Sequence, residues 1–527
     1  MRKSIIGGIA ALSAAALLLA GCTSSETSNS SGVAADTLTI QSSAPTSLNP
    51  AVGPIGQTGD IYIYSAYAAL IFQKSDGSFV PDLATKWGYV DGSNNEKFTL
   101  TVRSGVKFSD GTELDAQAVV NSIKYFIAAK GPQSAQLATL QSITATGTKT
   151  VEFDFSSPTP AVPFLLSQWL GIGAIIGPKG LAHPDSLATT SDGAGPYTIA
   201  SSGVIANQQY TYHASPTYYN PSAVHFKTVV VTVTTDQNAI LSGLQGGQLD
   251  AATPFALPGI VDPAKSAGLN VDGAPQGIMT LFFADRAGSV VPAFGNVKVR
   301  QAINYALDRK SLATLIGGSN GTPTNQLSLP GSLGYSDSNS NEYAYDISKA
   351  KQLLSEAGYA NGFSFSLLDA EAVDPNGLVG QAVVAALGQI GIKVTLQTEA
   401  QFSQFIPEAL SKKYPAILFA TPYFGDGYYY AAETALSTFE NPFNSNNPQL
   451  DHLFAVAAAA ADTATEKADL DKVSQWLLGN AWFAPIASTT QNVIWTNKIQ
   501  GVQKIAAGQQ GSYNPFGPTS TLSWSTK

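Results

Sequence analysis

A single cysteine, Cys22, closes an apolar N-terminal stretch of this 527-residue chain, and that placement limits how the rest can be stabilised. Arg2 and Lys3 lead into a charge-free run, Ile5–Ala20, and the small residues Ala20 and Gly21 stand just before the thiol. A basic start, an apolar middle and a small-residue end over residues 1–21 form the layout of a secretory signal. The apolar run is shorter than the ~20 residues that span a bilayer. The body is thus expected outside the cytoplasm, where secreted folds often rely on disulfides. No second cysteine exists to make one, so the body must be held by the size of its core.

Leu19-Ala-Gly-Cys22 resembles the bacterial lipobox, whose cysteine is lipidated and becomes the first mature residue. The resemblance implies a lipid on Cys22 that tethers the protein to the cell membrane. Residues 22–35 are Ser, Thr, Asn, Gly and Ala with one charge, Glu26, a composition that buries too little surface to order itself. They are expected to be a flexible linker. Beyond it, hydrophobic residues make up 44% and charged residues 12% of the chain, which describes a well-cored globular body of two or three domains. Net charge is −9, falling to −11 without Arg2 and Lys3, and no stretch is dense in Lys or Arg. Nucleic acid is therefore excluded as a partner class.

Periodicity gives the outline of the body. Thr37–Gln41, Phe98–Arg103 and Val151–Phe155 alternate as strands, and Phe226–Thr234 reads as a longer one. Asp115 caps a helix to about Lys130 whose apolar face is Ala116, Val119, Val120, Ile123, Phe126 and Ile127. Asp236, Asn296 and Asp346 cap three more, the last stopped by Gly358 in a position that favours a left-handed residue. Strand Phe363–Leu368, helix Leu378–Ile390 and strand Lys393–Thr398 make a βαβ unit, which requires a parallel pair with a right-handed crossover. Strands alternating with helices on both sides of a mid-chain boundary, placed near Ile278–Gly288, indicate two α/β lobes.

Catalytic and metal signatures are scarce. His183, His213, His225 and His452 are scattered, with no second ligand at helical spacing. Gly317–Gly321 matches G-x-S-x-G around Ser319, but a helical segment precedes it and a polar turn follows, the reverse of a nucleophile elbow. Trp169 is assigned to the core. The unusual segment is Tyr414–Tyr430, a strand-like run expected to open into a loop carrying Tyr423, Phe424, Asp426, Tyr428, Tyr429 and Tyr430. Aromatic side chains supply contact area, tyrosine adds a hydroxyl, and one acid among them suits a cationic ligand group.

These blocks in order resemble the extracytoplasmic solute-binding proteins of ABC importers, in the peptide/nickel-binding branch, family 5. The matching segments are Leu83–Trp87 (LATKW), Phe98–Gly111 (FTLTVRSGVKFSDG) and Asp115–Ser122 (DAQAVVNS). Others are Ser47–Pro50, Gly193–Tyr197, Leu244–Asp250, Val297–Arg309, Tyr345–Tyr359 and Gly391–Val394. The resemblance implies a type II periplasmic-binding-protein-like α/β fold: two lobes joined by a hinge, with a subdomain inserted in lobe one, the cluster C arrangement. Lobe one would comprise 36–60, 190–276 and 487–527, the inserted subdomain 61–189, and lobe two 277–486. It further implies a monomer without enzyme activity, cofactor or metal, which encloses a solute between its lobes and hands it to ABC permease subunits. The candidate ligand contacts are Asn49, Tyr423, Phe424, Asp426, Tyr428 and Tyr429.

Peptide-binding members commonly carry Trp and Asp in G-W-x-x-D-x-x-x-P after a strand like Ile417–Ala420. Here Thr421 stands in the Trp slot and the Asp slot falls near Phe424, two residues before Asp426. Two readings follow. Either Asp426 holds the amino terminus of an oligopeptide after a small loop change, or that anchor is absent and the solute is an oligosaccharide or another organic molecule. Two further classes stand beside these: an extracellular hydrolase using Ser319, and a signalling or scaffold lipoprotein.

Overall fold

The computed structural model describes residues 36–53, 60–254, 257–330, 333–422, 427–437, 439–503, 516–518 and 524–526. Two 13-residue strands, Asn270–Phe282 and Phe483–Trp495, pair antiparallel along their whole length and organise everything else. Strands Ala416–Pro422, Ser364–Ala370 and Lys393–Glu399 extend the sheet from Asn270–Phe282. Strands Ala251–Ala252, Thr37–Ser42, Thr228–Val233, Gln209–Ala214 and Tyr197–Thr198 extend it from Phe483–Trp495, giving an eleven-stranded sheet with Val204–Ile205 on its flank.

Different cores line the two ends of the crossing pair. Ala274, Val493 and Trp495 pack with Leu38, Ile40, Val229 and Val231. A few residues further on, Met279 and Leu281 pack with Val299, Ile303, Leu367 and Leu418, while Ile278 and Phe282 face Leu368, Ile417 and Phe419 on the opposite side. A strand covered on both faces must be largely apolar, and Ile278–Phe283 is, with the buried Thr280 as its one polar residue. Between the two cores the ladder slips, at Pro275–Gly277. Such a bulge bends a strand locally. At Gly277 an added Cβ would lie 2.7 Å from the Thr421 carbonyl oxygen, so only glycine lets three strands meet at this crossing.

A separate antiparallel sheet, Ala84–Tyr89, Lys97–Val102, Thr150–Phe155 and Leu140–Ala145, has its own core of Phe98, Leu100 and Phe153 under helix Ala116–Ala129. That helix starts where its cap dictates: the Asp115 carboxylate accepts the Ala118 N–H at 2.8 Å. It ends at Lys130 in the left-handed region, φ 52°. Asp236, Asn296 and Asp346 cap the helices Gln237–Gln245, Val297–Ala306 and Ile347–Glu356 in the same way. Gly358 follows the last of these at φ 86°. The βαβ unit is present, with Ser364–Ala370 and Lys393–Glu399 parallel in register and helix Leu378–Gly388 between them. Trp169 is a core residue, its indole N–H donating to Gln73 at 2.6 Å.

One local expectation is corrected. Tyr428, Tyr429 and Tyr430 do not lie in a loop; they form the first turns of helix Gly427–Leu436. Aromatic residues have modest helix propensity, but Tyr430 is buried to 1% exposure in the lobe-two core and Ala431–Glu433 continue the helix. Packing decides the conformation here.

Candidate functional site

The strand directions locate the site. Residue Ala251 faces Trp495 and Ala252 faces Ile494, so this strand and its parallel neighbours Thr37–Ser42 and Thr228–Val233 point toward the crossing stretch. From the other side Ile417 faces Phe282 and Pro422 faces Gly277, so Ala416–Pro422 and its parallel neighbours point back toward the same stretch. In open α/β sheets ligands bind beyond the carboxyl ends of the strands. Here two sets of carboxyl ends oppose one another across Gly273–Gly277 and Ser488–Asn492. Those residues form the floor, and the strand ends form the walls.

The first wall carries polar groups at strand ends. Gln41, 1% exposed, donates its amide N–H to the Thr234 carbonyl at 2.5 Å, while its side-chain oxygen is buried without a hydrogen-bond partner. Buried polar atoms in native folds normally find partners, so this orphaned acceptor at a strand end stands out. Thr253 closes the adjacent strand end, its N–H and hydroxyl both donating to the Gln41 carbonyl at 3.0 and 3.2 Å.

The second wall is the end of Ala416–Pro422 and helix Gly427–Leu436. Thr421 donates its hydroxyl to Glu440 at 3.4 Å, and Ser437 donates to the other carboxylate oxygen. Burial, aided by the nearby Glu433 charge, pushes the Glu440 carboxyl up to about 8, so it is largely neutral at pH 7. Tyr429 reaches out of this lobe: its ring centroid is 4.9 Å from that of Phe164, in the core beneath the four-stranded sheet. Tyr428 packs instead on Phe454, at 6.2 Å and 87°.

The candidate contacts therefore fare differently. Tyr429 packs on Phe164 of the four-stranded sheet unit, and Tyr428 turns into its own lobe. Asn49 spends its amide locally, donating to the Tyr125 hydroxyl at 2.7 Å and accepting the Ala51 N–H at 3.0 Å. Tyr423, Phe424, Asp426 and the lipidation candidate Cys22 lie outside the described residues. Ser319 sits in a short 3-10 turn after helix Arg309–Gly317, exposed, with its hydroxyl 3.5 Å from the Lys265 amine. Among the described residues no three His, Cys, Asp or Glu side chains gather as a metal site, and no helix is long and apolar enough to cross a membrane.

Sequence reasoning missed the groups that fix the crossing strands. Arg300, Asn304 and Arg309 hold the chain as it enters Phe483–Trp495. Arg300 donates to the carbonyls of Phe294, Asn480 and Ala481, and Asn304 to those of Arg300 and Phe483. Arg309 donates to the carbonyls of Pro485, Asn304 and Tyr343 and to the Asn304 side chain. Arg286 lies between Trp482 and Phe483, 4.7 and 4.8 Å from their rings, and donates to the Trp482 carbonyl. Arg–Asn–Arg at spacings of four and five in Val297–Arg309 was the available signal.

The fold and opposed strand ends define a two-lobed binding protein of the type II periplasmic class. The chain belongs to the bacterial extracellular solute-binding proteins, family 5, whose middle-region model matches residues 78–447. Over 315 residues it is 27% identical to the glutathione-binding protein GsiB of Salmonella paratyphi A, covering 59% of either chain. It is 26% identical over 431 residues to heme-binding protein A of Haemophilus influenzae, covering 72% of this chain and 75% of that one. Among solved structures, the periplasmic binding protein AgaA of A. tumefaciens R10 with agropinic acid superposes with TM-score 0.74 at 24% identity, covering 89% and 95% of the chains. DppA of Helicobacter pylori with the peptide STSA gives 0.75 at 20% identity, covering 90% and 96%. The family is one of solute-binding proteins, not enzymes.

Proposed function

We propose that this protein is the lipid-anchored solute-binding component of an ABC importer, capturing an oligopeptide between its lobes and delivering it to permease subunits as a monomer. The carrying observation is the opposition of two sets of strand carboxyl ends across a floor of two crossing strands. A bend at the floor changes the distance between the walls without breaking either core, which is the geometry of hinge closure. A peptide main chain offers neutral donors and acceptors, which suit the unsatisfied Gln41 oxygen. Relatives that bind glutathione and the peptide STSA support the class. The oligosaccharide reading loses support, because Tyr428 and Tyr430 pack into lobe two rather than forming a stacking platform.

Protein lacking residues 1–22, purified gently and examined by native mass spectrometry, is expected to carry a peptide, and calorimetry with Ser-Thr-Ser-Ala and glutathione reads direct binding. Asp426 is assigned the ligand amino group, a charged hydrogen bond contributing about 1.5–3 kcal/mol. Asp426→Ala should weaken a free-amino peptide roughly 10- to 100-fold and leave its N-acetylated form unchanged. Equal losses for both peptides would remove Asp426 from that role, and a sugar as the co-purified molecule would end the peptide reading. Anchoring is read separately: Cys22→Ser should abolish incorporation of labelled palmitate, and retention of the label would place the lipid elsewhere.

A further inference from the structure

Among the described residues, three contacts join the four-stranded sheet unit to lobe two. The hairpin between Ala84–Tyr89 and Lys97–Val102 turns at Asn94 and Asn95, both left-handed with φ 53° and 58°. Asparagine tolerates that region better than most side chains, and the two form the centre of a turn closed by the Glu96 N–H donating to the Ser93 carbonyl at 3.0 Å. The Asn95 carbonyl accepts the Thr159 N–H at 3.0 Å, which pins the tip to its own sheet. Its side-chain amide reaches across and donates to the carbonyls of Ala458 and Ala460, each at 3.1 Å. These lie at the C-terminal end of helix Pro448–Ala458, where the last carbonyls have no partner within the helix. The second contact is Gln136, whose amide donates to the Glu433 carboxylate at 3.1 Å. The third is Phe164 against Tyr429.

We propose that the four-stranded unit is a latch: Asn95 caps helix Pro448–Ala458 from across the gap and Gln136 holds Glu433, so closure is favoured by groups that never touch the solute. This rests on the reading that the lobes open and close about the crossing strands. The bond types suit a reversible device. On opening, the freed carbonyls and the Glu433 carboxylate pass to water, so each bond shifts the equilibrium only several-fold. A stronger latch would hold the empty protein shut. A weaker one would lower apparent affinity in proportion to the closed-competent fraction.

The test needs no solute. Protein lacking residues 1–22 has no cysteine, so labels placed by Lys124→Cys on helix Ala116–Ala129 and Lys351→Cys on helix Ile347–Glu356, both exposed, report one interlobe distance. Asn95→Gly keeps the left-handed turn and removes the donor; it should raise the open-to-closed ratio about fivefold. Gln136→Glu sets like charges together and should open the protein, whereas Gln136→Arg pairs with Glu433 and should close it. Melting curves check that each variant stays folded. Opposite shifts from the two Gln136 variants establish the latch. An unchanged distance distribution in all three variants, or a shift of both Gln136 variants in one direction, overturns it. Failure of the unlabelled protein to bind any peptide would count against the proposed function and leave these distances to be judged alone.

Discussion

Arg309→Ala should lose about 4 kcal/mol of unfolding free energy, read as a fall in the urea midpoint of unfolding. Arg309 is 9% exposed and makes four hydrogen bonds, to the carbonyls of Pro485, Asn304 and Tyr343 and to the Asn304 side chain. Burial pulls its guanidinium down to about 10, which leaves it charged at neutral pH. Among the described residues it has no carboxylate partner; three backbone carbonyls and the Asn304 side-chain oxygen compensate its charge. Removing it deletes several charge-assisted bonds and leaves buried acceptors without donors, a combination that produces the largest single-residue effects. Arg309→Lys should recover little, because one ammonium cannot reproduce a planar fork reaching four acceptors. A midpoint within a few tenths of a kcal/mol of the parent would show that water replaces the guanidinium and that the clamp is ornamental.

The reason for such a clamp follows from the topology. Phe483–Trp495 must serve two lobes at once, so its entry point has to be rigid if bending is to be confined to the slip at Pro275–Gly277. Arg300 and Asn304 secure Asn480–Phe483 from helix Val297–Ala306, and Arg309 secures Pro485 from the next helix, Arg309–Gly317. The matching segment Val297–Arg309 thus acts through strand placement, away from the strand ends.

Short-range physics was legible in the sequence. Asp115, Asp236, Asn296 and Asp346 cap their helices because an N-cap is decided within three residues. The βαβ unit was legible for a similar reason, since its strand, crossover helix and partner strand are contiguous. What hid was non-local. The full length of the crossing strands depends on pairing between residues more than two hundred positions apart. Asn95 read as a turn residue, and nothing near it hints at carbonyls 363 and 365 positions away. Tyr428–Tyr430 read as loop because low helix propensity was visible and the core that receives Tyr430 was not. Of the candidate contacts, Tyr429 packs on Phe164 and Tyr428 on Phe454, contacts made by residues far away in the chain. The sequence offered no sign of Gln41, whose role depends on where a neighbouring strand ends.

The pH dependence of stability should carry the signature of two buried carboxyls in lobe two, Glu440 and Asp369, and the second can be tested by itself. Asp369 is fully buried near the carboxyl end of Ser364–Ala370, beside the Asp374 carboxyl. Its neighbour Asp374 accepts the N–H groups of Val379 and Gly380 at 2.9 and 2.8 Å, at the start of helix Leu378–Gly388. Those two donors favour charge on Asp374. Burial first, and then the Asp374 charge, hold Asp369 well above the usual carboxylate range, so it keeps its proton in the folded state. The unfolded chain releases that proton at about pH 4. Between there and the raised folded value the native state binds one more proton than the unfolded state, so stability falls as pH rises. A single proton sets the limit at about 1.4 kcal/mol per pH unit. Asp369→Asn keeps the shape and is neutral at every pH. It should remove the Asp369 share of that slope and leave the Glu440 share, matching or trailing the parent near pH 4 and exceeding it increasingly toward pH 8. Urea unfolding at a series of pH values decides the matter, and parallel profiles for parent and variant would mean that Asp369 is ionised in the folded protein.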